Sequence, residues 1–323
     1  MDNCEILQKK VAVLAGGWSD ERDISMRSGR ACVQALCQAG FARVDLFDVA
    51  ESSFVEKLIH GGYEVAFITM HGRYGEDGCI QGLLEILHIP YTFSGVLASA
   101  AATEKEVAKA FYQTAHIPVA AGVDIGADTR LTEDQTTKIV EKLGLPLFVK
   151  PAANGSSFGV TRVSTTAELA DAISLAGREG GRVLIEECVV GTEITVPVIG
   201  NEDPRALPIV EIVPGADFYD QKVKYEPSSQ HHVIPARLEP AVYAKAQSLA
   251  VRAHKVLGCR GASRSDFIVR NDGTPVILET NTIPGMTATS LLPDSAAHGG
   301  IDFPSLCRML IEYALDEHTK RSR

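Results

Sequence analysis

"SDFIVRNDGTPVILETN", Ser265 to Asn281, reads as two short strands around a tight turn. Asp272-Gly273 is a two-residue hairpin signal between the β-rich runs Phe267-Ile268-Val269 and Val276-Ile277-Leu278. Folding about that pair makes Asp266 and Glu279 cross-strand partners, and the two-residue period of a strand puts Asn281 on the same face. Phe267, Val269, Val276 and Leu278 are then expected to face the core. Opposed like charges destabilise a strand pair. At ~4 Å the repulsion is about 1 kcal/mol in water and about 4 kcal/mol at an effective dielectric of 20. Either water screens both carboxylates on an amphipathic edge, or a hard cation balances them. Mg²⁺ takes oxygen ligands, usually one or two carboxylates plus substrate phosphates. The hairpin alone leaves both readings open.

At 323 residues the chain exceeds one ordinary core, so two or three domains are expected. Its composition is globular, 45% hydrophobic and 22% charged. A net charge of −10 disfavours nucleic acid or an anionic membrane as the main partner. Seven cysteines, an odd number without C-x-x-C, argue against a disulfide framework or a zinc site and fit reduced cytosolic thiols. "MDNCEILQKK" leads into only five apolar residues, so no signal peptide is visible, and no apolar run is long enough to span a membrane. The expected location is cytoplasmic.

"VAVLA" (11–15), "RVDLFDV" and "EVAFITM" read as strands alternating with helices, a doubly wound parallel sheet over the first hundred residues. "ASAAATEKEVAKAFYQTA" (98–115) reads as one helix containing Lys105. From there to about 190 short strands alternate with helices. The last third returns to strands, with a helix at 240–257 and a long loop at 214–235 of the kind that serves as a lid. The expected fold class is α/β, becoming α+β in the C-terminal part. The expected domains are 1–102, 103–190 and 191–323.

"LFVKPAANGSSFGVTRV" (147–163) delivers Lys150 from a strand into a Gly/Ser-rich turn, a cradle for phosphate or a plain glycine hairpin. The same turn matches G-x-S-x-G, the nucleophile elbow of a hydrolase, with Ser157 attacking and Asp266 and His298 completing a triad. That alternative needs strand–turn–helix, whereas the β-branched "GVTRVSTT" follows. Neither a P-loop nor a dinucleotide fingerprint occurs. Candidate phosphate cations are Lys105, Lys150, Lys224 and Arg264. "TMHGRYGEDGCIQG" (69–82) sets His71 at the carboxyl end of a strand, and Glu21 lies at the same sheet edge. Together they suit a small polar ligand, one with an amino group among the choices.

Seven collinear blocks resemble the D-alanine–D-alanine ligase family of the ATP-grasp superfamily. They are "LAGGWSDERDIS", "HGRYGEDG", "YTFSGVLASA", "FVKPAANGSSFGV", "EECVVGTEITV", "FYDQKVKY" and "SRSDFIVRNDGTPVILETNTIPGMTATSLLP". The resemblance implies a three-domain ATP-grasp fold and ligation of two D-alanines through an acyl phosphate, for peptidoglycan precursors. ATP would lie between the central and C-terminal domains. Lys105, Lys150 and Lys224 would bind its phosphates under the Ser157 loop; Glu186 and Val189 would meet adenine, and Glu193 the ribose. Asp266, Glu279 and Asn281 would hold two Mg²⁺ or Mn²⁺. Glu21, with His71 and Ser156, would receive the first D-alanine's amino group, and Tyr225 would close the site through Glu21 and Ser156. Arg264 and the Gly285 backbone would stabilise the oxyanion; Ser290 and Leu291 would bind the second carboxylate. Potassium stimulation and a homodimer are implied with the rest.

Three positions depart from the family pattern. Phe93 replaces the glycine of "YTGSG", "ATEK" replaces "MDK" before Lys105, and Asn154 carries no assigned role. Tyr225, in the "KY" pair, favours an amine acceptor over D-lactate. Alternatives are the same fold with D-serine, D-lactate or another amino acid as acceptor, and a nucleotide-binding protein without turnover.

Overall fold

The structure is a computed structural model that describes residues 3–152, 159–179, 181–213 and 232–321. After a short α1 (Asn3–Leu7), β1 (Lys10–Ala15) is buried along Val11 to Ala15 because it is the middle strand of a parallel sheet. α2 (Arg22–Gln38), β2 (Arg43–Asp48), α3 (Phe54–His60) and β3 (Val65–Ile68) follow, and the strand order is β2-β1-β3. Val11 lies beside both Val44 and Val65. The three strands thus alternate with helices as the sequence pattern predicts.

α4 (Cys79–Ile86) leads to the first departure. The single helix expected around Lys105 is two: α5 (Val96–Thr103) and α6 (Lys105–Thr114). Glu104 between them is extended, φ −87° and ψ 100°, and the Lys105 N–H donates to Ala152 O at 3.0 Å. Neither Gly nor Pro interrupts residues 98–115, so propensity alone misses the break. A bond to a distant strand end accompanies it.

The central sheet contains β4 (Gly122–Gly126), β5 (Leu147–Pro151), β6 (Thr161–Val163) and β7 (Arg182–Glu187), in the order β4-β7-β5-β6, antiparallel throughout. α7 (Glu133–Leu143) opens with a Thr132–Gln135 capping box. α8 (Leu169–Glu179) sets Leu169, Ala172, Ile173 and Ala176 against Val149, Val163 and Val183. β5 and β6 pair antiparallel, so the chain leaving β5 returns as a strand and not as the helix that a hydrolase elbow needs.

The largest sheet is built on β8 (Gly191–Ile199), β10 (Val210–Ile212), β11 (His232–Val233), β12 (Ala262–Arg270) and β13 (Pro275–Asn281). Its order is β11-β10-β8-β12-β13, and β9 (Arg205–Ala206) also pairs with β8. α9 (Pro240–Leu257) covers one face, with Ala246, Leu249, Ala250 and Leu257 against Ile194, Val196, Phe267 and Ile277. Of the long loop expected at 214–235, residues 214–231 lie outside the described residues; His232 and Val233 pair with Ile212 and Glu211. α10 (Leu291–His298) and α11 (Phe303–Arg321) close the chain, and Leu306, Cys307 and Leu310 join the core under β1 and β3.

The β12–β13 hairpin opposes Asp266 to Glu279 as expected, but for a different reason. Gly273 N donates to Arg270 O and Arg270 N to Thr274 O, both at 2.9 Å, so the loop is Asn271-Asp272-Gly273, with Gly273 at φ +78°. This shifts the register by one residue, pairing Phe267 with Ile277. A bulge between Asp266 and Phe267 then takes up Leu278 and restores the opposition of Asp266 and Glu279. Ile277 therefore fills the core where Leu278 was expected, and Leu278 is half-buried.

The two antiparallel sheets meet along a seam. Val119 bridges to Ile277, whose N–H donates to Pro118 O at 2.9 Å, and Arg270 Nη2 donates to Glu187 Oε1 at 2.8 Å.

Candidate active site

Arg264, Asp266 and Ile268 alternate on one face of β12, with Asn281 and Glu279 beside the first two. Across β12, Asp266 lies opposite Thr195 and Ile268 opposite Glu193. The sheet therefore presents Asp266, Glu279, Asn281 and Glu193 on neighbouring rows of one face. The Asp266 carboxylate accepts from Arg264 twice, Nε to Oδ1 at 3.0 Å and Nη2 to Oδ2 at 2.8 Å, and from the Thr195 hydroxyl. The Asn281 carboxamide, oriented by its neighbours, accepts from Arg264 Nη2 at 2.8 Å and donates to Glu76 Oε1 at 3.0 Å. Arg264 thus offsets the repulsion that the opposed carboxylates imply. The oxygen set is hard, two carboxylates and an amide oxygen, and fits Mg²⁺ or Mn²⁺.

Above this face stands a row of cations. Lys105 heads α6, Lys109 follows one turn later, and Lys150 comes from β5. Glu186, 5% exposed, takes both Lys109 and Lys150. Burial opposes its ionisation, but Lys150 and Lys109 outweigh burial and hold the carboxyl below its ordinary range. Burial, opposed by Glu279 and reinforced by Lys150, pushes the Lys105 ammonium below its usual value. At the seam, Val189, Ala120 and Val276 form an apolar cluster with Ile268. Apolar side chains thus gather around Val189, and charged ones around Lys105 and Glu279.

A second group gathers at the carboxyl edge of the parallel sheet. His71 is buried, its Nδ1 is 3.9 Å from Glu76 Oε1, and its Nε2 has no hydrogen-bond partner among the described residues. Burial pulls the imidazole down, but Glu76 and Glu21 together raise it above its ordinary value. The loop is tight. Ser19 Oγ donates to His71 O at 2.8 Å, Gly72 N donates to Glu76 Oε2 at 2.7 Å, and a Cβ on Gly72 (φ +68°) would lie 3.4 Å from Glu21 Oε2. Glu76 touches both His71 and Asn281, so it joins this group to the carboxylate face.

Ser290 precedes α10 and turns its hydroxyl backward, accepting from Thr287 N at 3.0 Å. A Cβ on Gly285 would meet that hydroxyl at 3.0 Å, so Gly285 and Ser290 are neighbours on one loop, and Leu291 opens the helix. Ser156, Ser157, Lys224 and Tyr225 lie outside the described residues, as does Asn154.

Lys109, Glu76 and Thr195 were not singled out from the sequence. Glu76 stood in the quoted "HGRYGEDG", and Lys109 lies four residues after Lys105 on the same helix face. Both signals were available in the spacing. Thr195, inside an apolar strand, gave none.

The D-ala D-ala ligase C-terminus family matches residues 111–312, and the D-ala D-ala ligase N-terminus family matches residues 46–94. The chain belongs to the D-alanine–D-alanine ligase family. Relatives in that family include the D-alanine–D-alanine ligase of Desulforamulus reducens, 44% identical over 95% of this chain and 99% of the relative. That of Anaeromyxobacter dehalogenans is 46% identical over 95% of this chain and 97% of the relative. The crystal structure of the Bacillus anthracis D-alanine–D-alanine ligase in complex with ATP superposes with a TM-score of 0.82 at 28% identity, covering 97% of this chain and 99% of that one. The Coxiella burnetii ligase gives 0.82 at 28% identity, covering 98% of this chain and 97% of that one. The D-alanine–D-alanine ligase family thus spans both the parallel sheet and the two antiparallel sheets, and the fold is the family's ATP-grasp fold.

Proposed function

We propose that this chain joins two D-alanines into D-alanyl-D-alanine at the expense of ATP, as a step in making peptidoglycan precursors. The supporting observation is the convergence of Asp266, Glu279 and Asn281 on one face below Lys105 and Lys150, with the Glu21–His71–Glu76 group adjoining. The units 1–102, 103–190 and 191–323 serve as substrate, central and C-terminal domains in this reading.

A carboxylate is a poor acyl donor. In the reading, the γ-phosphoryl group passes from ATP to the carboxylate of the first D-alanine, leaving ADP. The amine of the second D-alanine attacks the acyl phosphate, and phosphate leaves. The protein's work is positioning and charge balance. Lys105, Lys150 and Lys224 hold phosphates beneath the Ser157 loop, Val189 and Glu186 meet the base, and Glu193 meets the ribose. Asp266, Glu279 and Asn281 would hold two Mg²⁺ or Mn²⁺, which would supply positive charge against the triphosphate. Glu21, with Ser156 and His71, takes the first ammonium group, and Tyr225 closes the site. Arg264 and the Gly285 N–H face the tetrahedral oxyanion. Ser290 and Leu291, at the start of α10, receive the second carboxylate, where the helix dipole favours an anion. A cytoplasmic location, a homodimer and potassium stimulation accompany this reading as family traits. Among the described residues no helix is long and apolar enough to cross a membrane.

The test is to incubate the protein with ATP, Mg²⁺ and a panel of D- and L-amino acids and D-lactate, then identify products by mass. D-alanyl-D-alanine with stoichiometric ADP supports the reading. Another dipeptide or a depsipeptide redirects the acceptor, and ATP consumption without any ligated product refutes ligation.

A further inference from the structure

We propose that Lys109 is a positioning residue for the nucleotide: it stays on Glu186 and keeps that carboxylate charge-balanced when Lys150 turns to phosphate. The inference rests on the reading of Lys150 and Glu186 as nucleotide contacts. Glu186 divides its two oxygens, Oε1 to Lys109 and Oε2 to Lys150. The three side chains are 12%, 7% and 14% exposed in the order Lys109, Glu186, Lys150, so none is balanced by bulk water. A phosphate drawing Lys150 away would leave a buried carboxylate with one partner. Removing a partner from a buried pair is costly because the remaining charge stays desolvated. Lys109 prevents that cost and leaves Oε2 open to a donor on the base.

The backbone is arranged around this pair. A Cβ on Gly122, opposite Glu186 on β4, would lie 3.1 Å from Lys109 Nζ and 3.1 Å from Glu186 Cγ. The missing side chain at Gly122 gives the ammonium its place. The charged groups around Glu186 are Lys105 and Lys109 from α6, Lys150 from β5 and Glu187 from β7; Glu279 from β13 acts on Lys105. With Lys109 gone, Glu186 would be ionised against Lys150 in the free protein and driven to bind a proton once ATP takes Lys150. ATP binding would then be linked to proton uptake and would weaken as pH rises.

The experiment measures the Kd for ATP with Mg²⁺ between pH 7 and 9 for the wild type, K109M, K109R, K150M and E186Q. K109M is expected to bind at least tenfold more weakly at pH 8. Its gap from wild type should widen with pH, by up to about tenfold per pH unit for one linked proton. K109R is expected within threefold of wild type, without the widening. A purely structural role for Lys109 would shift stability and not this pH profile. If K109M does not fold, K109Q, uncharged but still a donor, replaces it with the same expectation. A wild-type Kd and pH profile in the uncharged variant, with K150M weakened, would overturn the role of Lys109 alone. Wild-type binding in K150M and E186Q would overturn the nucleotide reading and this role with it.

Discussion

Phe93 stands at φ +68°, in the left-handed region that glycine favours, and the family pattern has glycine there. The structure shows what the phenyl ring does. It is 1% exposed and packs edge-on against Phe67, ring centroids 5.9 Å apart, in the core under the parallel sheet. The ring fills core space. A non-glycine residue in this conformation costs about 1–2 kcal/mol, while deleting a buried phenyl to alanine costs about 3–5 kcal/mol. Phe93→Ala keeps the strain and loses the ring. Phe93→Gly loses the ring, recovers about 1–2 kcal/mol of strain and adds about 0.5–1 kcal/mol of chain entropy. The glycine variant should therefore be at least as stable as the alanine variant, by up to about 1.5 kcal/mol, reversing the usual order. Both should fall a few kcal/mol below wild type. Urea unfolding with equal m-values measures this, and kcat/KM of the folded fraction should stay within about twofold of wild type, because the ring is packed in the core against Phe67. A glycine variant less stable than alanine by the ordinary margin would refute the strain, and a glycine variant as stable as wild type would refute the packing contribution.

Three further outcomes are expected. His254 is fully buried and burial lowers its pKa to about 4. The unfolded chain protonates it near 6.5 while the folded chain does not, so stability should fall as pH drops from 6.5 to about 4, by about 3 kcal/mol. His254→Gln should remove that component of the urea midpoint; an unchanged slope would contradict it. Glu76→Gln should lower the His71 pKa, read by NMR of labelled histidine, because burial would then be opposed by Glu21 with less help; an unmoved titration would show that Glu76 does not hold the charge. Arg264→Lys keeps the charge but loses the two-point grip on Asp266. A loss of about 1.5–3 kcal/mol, ten- to hundredfold in kcat, is expected in steady-state assays, and wild-type turnover would contradict it.

Periodicity made the fold legible where one element decides its own surroundings. β1 is an uninterrupted apolar run because it is the inner strand of a parallel sheet, and α9 was bounded correctly by Pro240 and Gly258. What was missed depends on contacts across the chain. The break at Glu104 accompanies the Lys105 bond to Ala152, and neither Gly nor Pro marks it. The pairing of Asp266 with Glu279 came out as expected only through two offsetting features, a longer loop that shifts Phe267 to Ile277 and a bulge that shifts it back, neither visible in "NDG". The site was legible as residue types in blocks, and the structure adds the pairing. Arg264, assigned to the oxyanion, grips Asp266 and Asn281, and Lys150, assigned to phosphate, rests on Glu186 with Lys109. Resting partners of this kind follow from three-dimensional neighbourhood, which spacing alone does not encode.

The most direct test is anomalous scattering from a crystal grown with Mn²⁺ and a non-hydrolysable ATP analogue. Peaks between Asp266, Glu279 and Asn281, with the triphosphate running from there past Lys105 and Lys150, are the expected result. A nucleotide bound elsewhere, or manganese absent from that face at full nucleotide occupancy, would contradict the assignment.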